Sequence, residues 1–441
     1  MAGFFLASLS FAFQIQSPRA EESHWLTKPQ KKSKKKAPPP KDDNQLSEKG
    51  DRKLIHFPFP LPEALKPNFE FWKQIYSKYD KNDRVFHDTE HLEVIYSVIH
   101  LKEPEVENAD GEAEEEIASP RAGRHSRLKE EKERIRGVLL KLAAGGYEEK
   151  DLSTEEKRIY HLFDSVDEPD KFKSAAETGR IRAQTGQKDK FLKAIEWSGA
   201  YLTEIEDVFT SYDLPHELTR IIFVESMFNP KARSKVGASG LWQFMPYTGR
   251  LFITVNSVVD ERNDPIRATH AAAQFLKANF DSLGSWPLAV NAYNSGALNL
   301  SRAKEELGTD DIGIIAKNYR GGGYKFASRN FYTEFLAALE VANHYKDYFG
   351  EIERLPALKY ETVTFDGPLP LVEVAQNCGI ALSTLEEMNP GYSRVYFGSR
   401  KPLPSGYSLK IPAGMGEKFK KSAQETANRK TLKDAAPIAV Q

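Results

Sequence analysis

The chain has a single cysteine, Cys378, among its 441 residues. One thiol forms neither an internal disulfide nor a cysteine-based zinc site, so a disulfide-stapled secreted domain is excluded. Neither sign of charge dominates, because 62 Lys and Arg residues are balanced by 63 Asp and Glu residues. This balance provides no global field for nucleic acid, and we expect no nucleic-acid partner.

Long apolar runs are also scarce. The N-terminal run from Met1 to Phe13 has the length of the apolar segment of a signal peptide and is too short to span a bilayer. It lacks the positive flank of such peptides. We predict that residues 1–20 are a signal peptide and that the protein is exported to the periplasm or cell envelope. No cysteine lies nearby, so we expect no lipid anchor.

Strand signals are scarce before residue 357, so the sequence predicts a mainly α fold. Residues 21–65, rich in Lys and Pro around positions 31–40, predict a disordered linker. Residues 66–188 predict a helical accessory region with a disordered acidic insertion at 102–118. Its helical spacing is carried by two apolar groups: Phe71, Trp72, Ile75 and Tyr76, and then Leu92, Val94, Ile95 and Val98.

Residues 189–352 predict an all-α domain. One helix is expected from Phe191 to Phe209, and a second from Pro215, after Asp213. Residues 357–414 predict a small β-α-α-β module, in which Cys378 is a core residue. Residues 415–441 predict a flexible polar tail.

Glu225 is the strongest candidate for chemistry. It directly follows the apolar run Ile221-Ile222-Phe223-Val224. Apolar surroundings favour the protonated form of a carboxyl group and raise its pKa. A raised pKa suits a general acid that cleaves a glycosidic bond near neutral pH.

Two segments after Glu225 suit a sugar ligand. Gly237 and Gly240 let the backbone either approach a ligand closely or turn with a positive φ angle. Trp242 offers a ring for stacking on a sugar face, and Gln243 offers an amide donor and acceptor. Residues 291–296 again combine amides, a phenol and a glycine.

Together these blocks resemble the catalytic domain of the soluble-type lytic transglycosylases, in the branch of the membrane-bound type D enzymes. The matching blocks are Glu225-Ser226, Gly240-Leu241-Trp242-Gln243 and Ala292-Tyr293-Asn294. The resemblance implies a lysozyme-like α-helical catalytic domain that acts on peptidoglycan glycan strands.

The resemblance also implies a mechanism. Glu225 protonates the β-1,4 bond between N-acetylmuramic acid and N-acetylglucosamine and then activates the muramyl 6-hydroxyl, which forms a 1,6-anhydromuramyl end. No metal or organic cofactor is implied. We expect a monomer, with other cell-envelope proteins as further partners. The implied substrate-binding residues are Ser226, Gly240, Trp242, Gln243, Met245, Tyr293, Asn294 and Tyr332.

The last motif of the family differs in this chain. The family has Glu-Thr-Arg-x-Tyr-Val, whereas this chain has Ala327 at the glutamate position and Phe331 at the tyrosine position. Either Tyr332 supplies the missing hydroxyl, or the hydroxyl is absent.

The C-terminal module resembles a divergent LysM domain, a module that binds glycans containing N-acetylglucosamine. The resemblance is carried by Thr362-Val363-Thr364, Leu385 to Pro390, and Leu409 to Pro412. The Gly-Asp-Thr usual near the first strand is replaced by Gly367-Pro368-Leu369. A small packing domain is the alternative.

Three other functions fit parts of the sequence. His87, Glu90 and His91 follow the His-x-x-Glu-His pattern of zinc peptidases, although Asp88 resembles a helix N-cap that would leave His87 outside the helix. A muramidase would cleave the same bond with water. A non-catalytic peptidoglycan-binding scaffold would explain Ala327 and Phe331.

Overall fold

The computed structural model describes residues 55–56, 58–101, 120–399 and 401–434. The predicted signal peptide, most of the predicted linker and the predicted insertion at 102–118 lie outside the described residues. Helices dominate the described residues, and their strands form three small sheets, which confirms the mainly α prediction. Among the described helices, none has the length and apolar character needed to cross a membrane.

The N-terminal part contains a short hairpin, a sheet and several helices. Its strands are β1 (Ile55–His56), β2 (Phe59–Pro60), β3 (Asp83–Asp88), β4 (Ile95–His100) and β5 (Ile181–Thr185). Its helices are α1 (Lys66–Ser77), α2 (Pro120–Ala144), α3 (Thr154–His161) and α4 (Lys171–Ala175). Strands β1 and β2 pair with each other, and the larger sheet has the antiparallel order β4-β3-β5.

This larger sheet corrects the prediction that residues 66–188 are a helical region. The apolar residues between positions 92 and 98 fit a helical period, but those from Ile95 onward lie in β4. Of the apolar residues between positions 92 and 98, Val94, Ile95 and Val98 are β-branched. Such side chains are stiff at χ1 and pack well in a pleated sheet. Pairing with β3 at five of the six residues of β4 therefore outweighs the helical spacing.

Helix α1 belongs to the core of the following helical part. Phe69, Trp72 and Tyr76 are buried in the same apolar cluster as Phe223 and Phe335. The sheet and helices α2 and α3 enclose a separate core around Phe86 and Phe163. The structure thus places α1 against the helices that carry the candidate site.

The central part is all-helical, as predicted. Its helices are α5 (Lys188–Ser198), α6 (Leu202–Ser211), α7 (Ile221–Glu225), α8 (Pro246–Gly249), α9 (Pro265–Leu283), α10 (Trp286–Ser295), α11 (Ala297–Leu307), α12 (Ile312–Asn318), α13 (Phe326–Asn343) and α14 (Tyr345–Phe349).

Two details of the predicted helices change. The single helix expected from Phe191 to Phe209 is interrupted after Ser198, at Gly199. A Cβ atom at Gly199 would lie 2.2 Å from the carbonyl oxygen of Leu355, so this close approach requires glycine. The helix expected at Pro215 starts there as a 3-10 helix, His216–Arg220, which continues directly into α7.

The C-terminal module has the two predicted strands and the two predicted helices between them, but a third, short helix precedes the second strand. Its elements are β6 (Tyr360–Thr364), α15 (Leu371–Cys378), α16 (Leu382–Met388), α17 (Val395–Gly398), β7 (Ser408–Pro412) and α18 (Gly416–Asp434). Strands β6 and β7 are antiparallel. Cys378 is 2% exposed in the module's core, which confirms its predicted place.

Helix α18 corrects the prediction of a flexible tail for residues 416–434. Phe419, Ser422, Ala423 and Thr426 have the spacing of one helix face, and three of them are buried. Phe419 is the only large apolar residue in this stripe, so the pattern is weak in the sequence. Residues 435–441 lie outside the described residues.

The module contacts the central helices through a salt bridge and backbone hydrogen bonds. The Lys410 ammonium lies 2.8 Å from the carboxylate of Asp264, which also caps α9. The backbone N–H of Asp260 donates to Gly391 at 2.7 Å. These contacts fix the module beside the start of α9.

The variant Lys410→Met tests this contact. We expect it to lower the free energy of unfolding by about 1–2 kcal/mol, because Asp264 keeps a largely buried charge without its partner. Urea denaturation measures the change. The control is Lys420→Met, which removes an exposed pair with Glu417 and should cost about 0–0.5 kcal/mol. Equal losses in the two variants would contradict the assigned contact.

Candidate active site

The candidate acid Glu225 is the last residue of α7. Ile221, Ile222 and Phe223 are buried and anchor this short helix in the core, whereas Glu225 is half-buried. The helix ends at once, because Met227 and Phe228 have φ angles of +51° and +54°. The apolar run therefore holds the carboxyl group at the edge of the core.

The surroundings of Glu225 keep it protonated at neutral pH. Burial and, secondly, the negative charge of Glu334 raise the pKa of Glu225 to about 8. Desolvation and a nearby like charge both disfavour the ionised carboxyl group. The sequence-based expectation of a raised pKa is thus met by the structure, and a carboxyl group in this state is able to donate a proton.

The backbone is strained on both sides of the site. Positive φ angles are uncommon for residues other than glycine. Among the described residues, Met227, Phe228 and Gln243 are three of five such cases. Strain of this kind costs about 1–3 kcal/mol per residue and is concentrated at functional sites. The two sequence blocks that suggested a site are therefore the blocks whose backbone is strained.

Gln243 and Tyr293 are held by the backbone around the site. The Gln243 amide donates to the carbonyl oxygens of Gly240 at 2.7 Å and Ala232 at 3.2 Å. The Tyr293 hydroxyl donates to the carbonyl oxygen of Trp242 at 2.8 Å. Burial and the charge of Glu225 raise the pKa of Tyr293 well above its ordinary value, which places this phenol close to the candidate acid.

The other predicted substrate-binding residues in this part of the chain are Ser226, Asn294 and Met245. The Ser226 hydroxyl donates to the carbonyl oxygen of Ile222 at 3.3 Å. The side-chain oxygen of Asn294 accepts from the Ser328 hydroxyl at 2.9 Å. Met245 is half-buried and precedes α8. These three residues stay candidates for substrate contact.

Trp242 does not offer its ring to a sugar. Its side chain is fully buried, its indole N–H donates to Thr269 at 2.9 Å, and its ring stacks on Phe209 at 5.6 Å. The prediction of sugar stacking is wrong because the indole fills the core and satisfies its one donor there. Trp242 supports the site from the core, because its carbonyl oxygen accepts from the Tyr293 hydroxyl and its ring lies 6.3 Å from the Tyr293 ring.

Gly240 has only one of its two predicted roles. A Cβ atom at this position would lie 1.8 Å from the carbonyl oxygen of Arg262, and the φ angle of Gly240 is +77°. The glycine therefore permits a close approach of two backbone segments. The predicted turn with a positive φ angle is thus confirmed, whereas the close approach is to the backbone of Arg262 and not to a ligand.

Tyr332 lies outside the group around Glu225. It is fully buried, and its hydroxyl donates to the carbonyl oxygen of Pro60 at 2.8 Å. Phe331 instead stacks on Tyr293, with ring centroids 6.4 Å apart and an interplanar angle of 8°. Of the two alternatives for the missing hydroxyl, a local shift to Tyr332 is thus contradicted.

Sequence reasoning missed Glu334, whose charge acts on Glu225, and two residues that interact with Glu334. Glu334 on α13 has its pKa raised to about 8 by burial, against the opposing effects of Arg182 and a hydrogen bond from Tyr76. The sequence contained one indication of Glu334. This glutamate lies seven residues, or two helical turns, after Ala327, and therefore on the same helix face as the glutamate position of the family motif. Tyr76 and Arg182 are distant in sequence and gave no signal.

The zinc-peptidase hypothesis is contradicted by the partners of its residues. His87 and Asp88 lie in β3, so Asp88 is not a helix cap. His87 is fully buried, and burial lowers its pKa to about 3. Glu90 binds Arg329 through two contacts of 2.6 Å, and His91 contacts Glu168 at 3.0 Å. The three side chains thus have separate partners and do not converge on a common ion.

The pKa of Glu225 predicts a stability change in Glu225→Gln. A carboxyl group whose pKa is higher in the folded state stabilises the fold below its unfolded pKa, and this contribution is lost as the pH rises through about 8. Glutamine does not ionise, so we expect the variant to be more stable than the wild type by about 1–3 kcal/mol near pH 9. The advantage should vanish near pH 4. Urea denaturation across this range measures it, and a pH-independent difference would contradict the raised pKa.

The segment that carries Glu225 is also similar to known proteins. Residues 209–315 match the model of the Transglycosylase SLT domain. Over 248 residues the chain is 29% identical to the membrane-bound lytic murein transglycosylase D of Escherichia coli K12, covering 51% of each chain. The chain thus spans about half the length of this curated relative. Over 82 residues it is 33% identical to the transglycosylase of Enterobacteria phage PRD1, covering 19% of this chain and 29% of the phage protein.

Solved structures give a weaker likeness. An inactive mutant of the lytic transglycosylase Slt from Pseudomonas aeruginosa has a TM-score of 0.29 and 16% identity, and covers 51% of this chain and 38% of its own. The 70 kDa soluble lytic transglycosylase of Escherichia coli has a TM-score of 0.28 and 19% identity. This match covers 53% of the present chain and 45% of the Escherichia coli chain. At this level the likeness does not define the fold.

Proposed function

We propose that the chain is a peptidoglycan lytic transglycosylase with a lysozyme-like catalytic domain and Glu225 as its acid and base. The observation that carries the proposal is the half-buried Glu225, with a pKa of about 8, within the matched SLT segment. The substrate is the β-1,4 bond between N-acetylmuramic acid and N-acetylglucosamine.

The proposed reaction needs only one acidic group from the protein. Glu225 gives its proton to the glycosidic oxygen as the bond from this oxygen to C1 breaks. The resulting carboxylate takes the proton of the muramyl 6-hydroxyl, and the 6-oxygen bonds to C1. The products are a 1,6-anhydromuramyl end and a free N-acetylglucosamine hydroxyl. Glu225 regains its proton, and no water is consumed.

Four neighbours of Glu225 are proposed to hold the substrate and its N-acetyl group. Ser226 follows the acid directly, and Gln243 and Tyr293 are fixed by hydrogen bonds to the backbone. Asn294 follows Tyr293 on α10 and is held by Ser328. Fixed polar groups lose little conformational freedom on binding, which favours tight orientation of the sugar.

A hydrolytic muramidase is the second candidate, and Glu334 is the observation that favours it. A hydrolase uses a second carboxylate, as nucleophile or to activate water. Against this role, the Glu334 carboxyl group is bound by the buried Tyr76 hydroxyl, and burial raises its own pKa to about 8. We therefore favour the intramolecular reaction.

Digestion of purified peptidoglycan in ¹⁸O-labelled water separates the two reactions. The transglycosylase reaction predicts muramyl ends that carry no ¹⁸O, because the 6-oxygen of the sugar attacks C1. Hydrolysis would place one ¹⁸O atom on each new reducing end. Mass spectrometry of the released muropeptides reads the outcome, and labelled reducing ends would make the protein a muramidase.

The C-terminal module is proposed to be a divergent LysM domain that binds the same glycan. Its antiparallel pair β6-β7, with helices α15 and α16 between the two strands, supports this proposal. Hydrogen exchange of the full-length Glu225→Gln variant with N-acetylglucosamine oligomers tests it. Protection within residues 360–412 is expected, and protection confined to the central helices would leave the module as a packing domain.

The proposed substrate implies a location in the cell envelope. We propose export to the periplasm as a monomer that acts on glycan strands, with other envelope proteins as partners. The similarity to an enzyme named membrane-bound supports an envelope location.

A further inference from the structure

Residues 254–263, which we call the linking turn, lie between α8 and α9 and contact the C-terminal module. The backbone N–H of Asp260 donates to the carbonyl oxygen of Gly391 at 2.7 Å. The N–H of Ser393 donates in the other direction, to the carbonyl oxygen of Val258, at 3.0 Å. Backbone N–H and C=O groups are strong hydrogen-bonding groups. These two bonds therefore fix one side of the linking turn on the module.

The other side of the linking turn carries Arg262, which is 7% exposed. Its Nε and Nη2 atoms donate to the two carboxylate oxygens of Asp260, at 2.9 and 2.7 Å. Its Nη1 atom donates to the carbonyl oxygens of Gly237 at 2.7 Å and Phe244 at 2.8 Å. Burying a guanidinium group is costly unless its donors are paired, and each nitrogen of Arg262 has an acceptor. Arg262 thus joins the linking turn to two points of another loop.

Those two points are the ends of residues 237–244, which we call the Gln243 loop. Gln243 has a φ angle of +48°. Strained backbone of this kind persists only where the surrounding structure fixes it. Phe244 directly follows Gln243, so the guanidinium group is bound beside the strained residue. The Ser239 hydroxyl adds a further contact between the two segments, because it donates to the side-chain oxygen of Asn263 at 2.6 Å.

We propose that Arg262 is a positioning residue for Gln243, and that the docked C-terminal module keeps Arg262 in place through the linking turn. Arg262 is enclosed by protein and acts by closing the Gln243 loop, which sets the direction of the Gln243 side chain. This inference rests on the proposed function, in which Gln243 holds the substrate. It gives the module a second role beside glycan binding, because the bonds that dock the module also support the Gln243 loop.

A double-variant cycle tests whether Arg262 acts through Gln243. We expect Arg262→Met and Gln243→Ala each to lower kcat/KM for soluble, peptide-free glycan strands by about 10–100-fold, because a displaced binding group misaligns the sugar. If one residue acts through the other, the double variant loses no more than the larger of the two single losses. A merely structural role of Arg262 would add its own factor, so losses that multiply in the double variant would overturn the proposal.

A substitution in the module tests the support without changing Arg262, and serves if Arg262→Met does not fold. A Cβ atom at Gly391 would lie 3.1 Å from the carbonyl oxygen of Asp260, so Gly391→Ala forces the module and the linking turn apart by a few tenths of an ångström. We expect faster hydrogen exchange of residues 237–244 and about a threefold loss of kcat/KM.

Gly398→Ala is the matched control in the same module. A Cβ atom there would have no other atom of the described residues within 4 Å. Both the hydrogen exchange of residues 237–244 and kcat/KM should stay at the wild-type values. Equal changes in Gly391→Ala and Gly398→Ala, or wild-type exchange in a folded Gly391→Ala variant, would overturn the part assigned to the module.

Hydrogen exchange needs no turnover and therefore separates this inference from the proposed function. If the wild type releases no product but residues 237–244 exchange faster in Arg262→Met and in Gly391→Ala, the proposed function fails and the support of the Gln243 loop stands. If product forms and these residues exchange at the wild-type rate in both folded variants, the inference fails alone.

Discussion

Replacing Glu225 with glutamine is expected to lower the rate of muropeptide release by about 10²–10⁴-fold, the usual contribution of a general acid and base. Glutamine has nearly the same shape, but its amide has no acidic proton to give to the glycosidic oxygen. The rate is measured from soluble products of purified peptidoglycan near neutral pH.

The control for this variant is Glu217→Gln, in the 3-10 helix that leads into α7. It removes a carboxyl group from the same segment and should leave the rate near that of the wild type. Pelleting with peptidoglycan should show that Glu225→Gln still binds. Wild-type rates in a folded Glu225→Gln variant would remove Glu225 from the reaction.

Substituting Gly240 with alanine is expected to cost about 3–5 kcal/mol of unfolding free energy and to abolish activity with it. The new Cβ atom would lie 1.8 Å from the carbonyl oxygen of Arg262, at a φ angle of +77°. Either the loop that carries Gln243 or the turn at Arg262 must move. Thermal or urea denaturation measures the loss.

Gly237 provides the matched control in the same loop. Its φ angle is also positive, at +96°, but a Cβ atom there would meet only Pro246, at 4.0 Å. Gly237→Ala should therefore cost only the backbone strain, about 1–2 kcal/mol. Similar losses in the two variants would show that conformation, and not the close approach to Arg262, makes Gly240 necessary.

The sequence predicted the centre of the site but not the direction of its side chains. Four apolar residues before Glu225 were enough to predict apolar surroundings and a raised pKa, because the pKa depends on local burial. Trp242 and Tyr332 were placed wrongly because the orientation of a ring depends on partners far away in the sequence. Those partners are Thr269 and Pro60.

The limits of the fold prediction have a similar cause. Residues 95–100 have an apolar spacing that suits a helix, and only pairing with β3 makes them a strand. Glu334 and Tyr76 are 258 positions apart by number, so their hydrogen bond depends on the packing of α1 on α13. Contacts of this kind come from tertiary structure, which local patterns do not specify.

The most direct test of the proposed reaction is mass spectrometry of peptidoglycan digested in parallel by the wild type and by Glu225→Gln. We expect 1,6-anhydromuramyl products, lighter than the hydrolysis products by one water, from the wild type alone. Reducing-end muramic acid from the wild type would contradict the transglycosylase reaction. Absence of products from a folded wild type that binds peptidoglycan would contradict enzymatic function altogether.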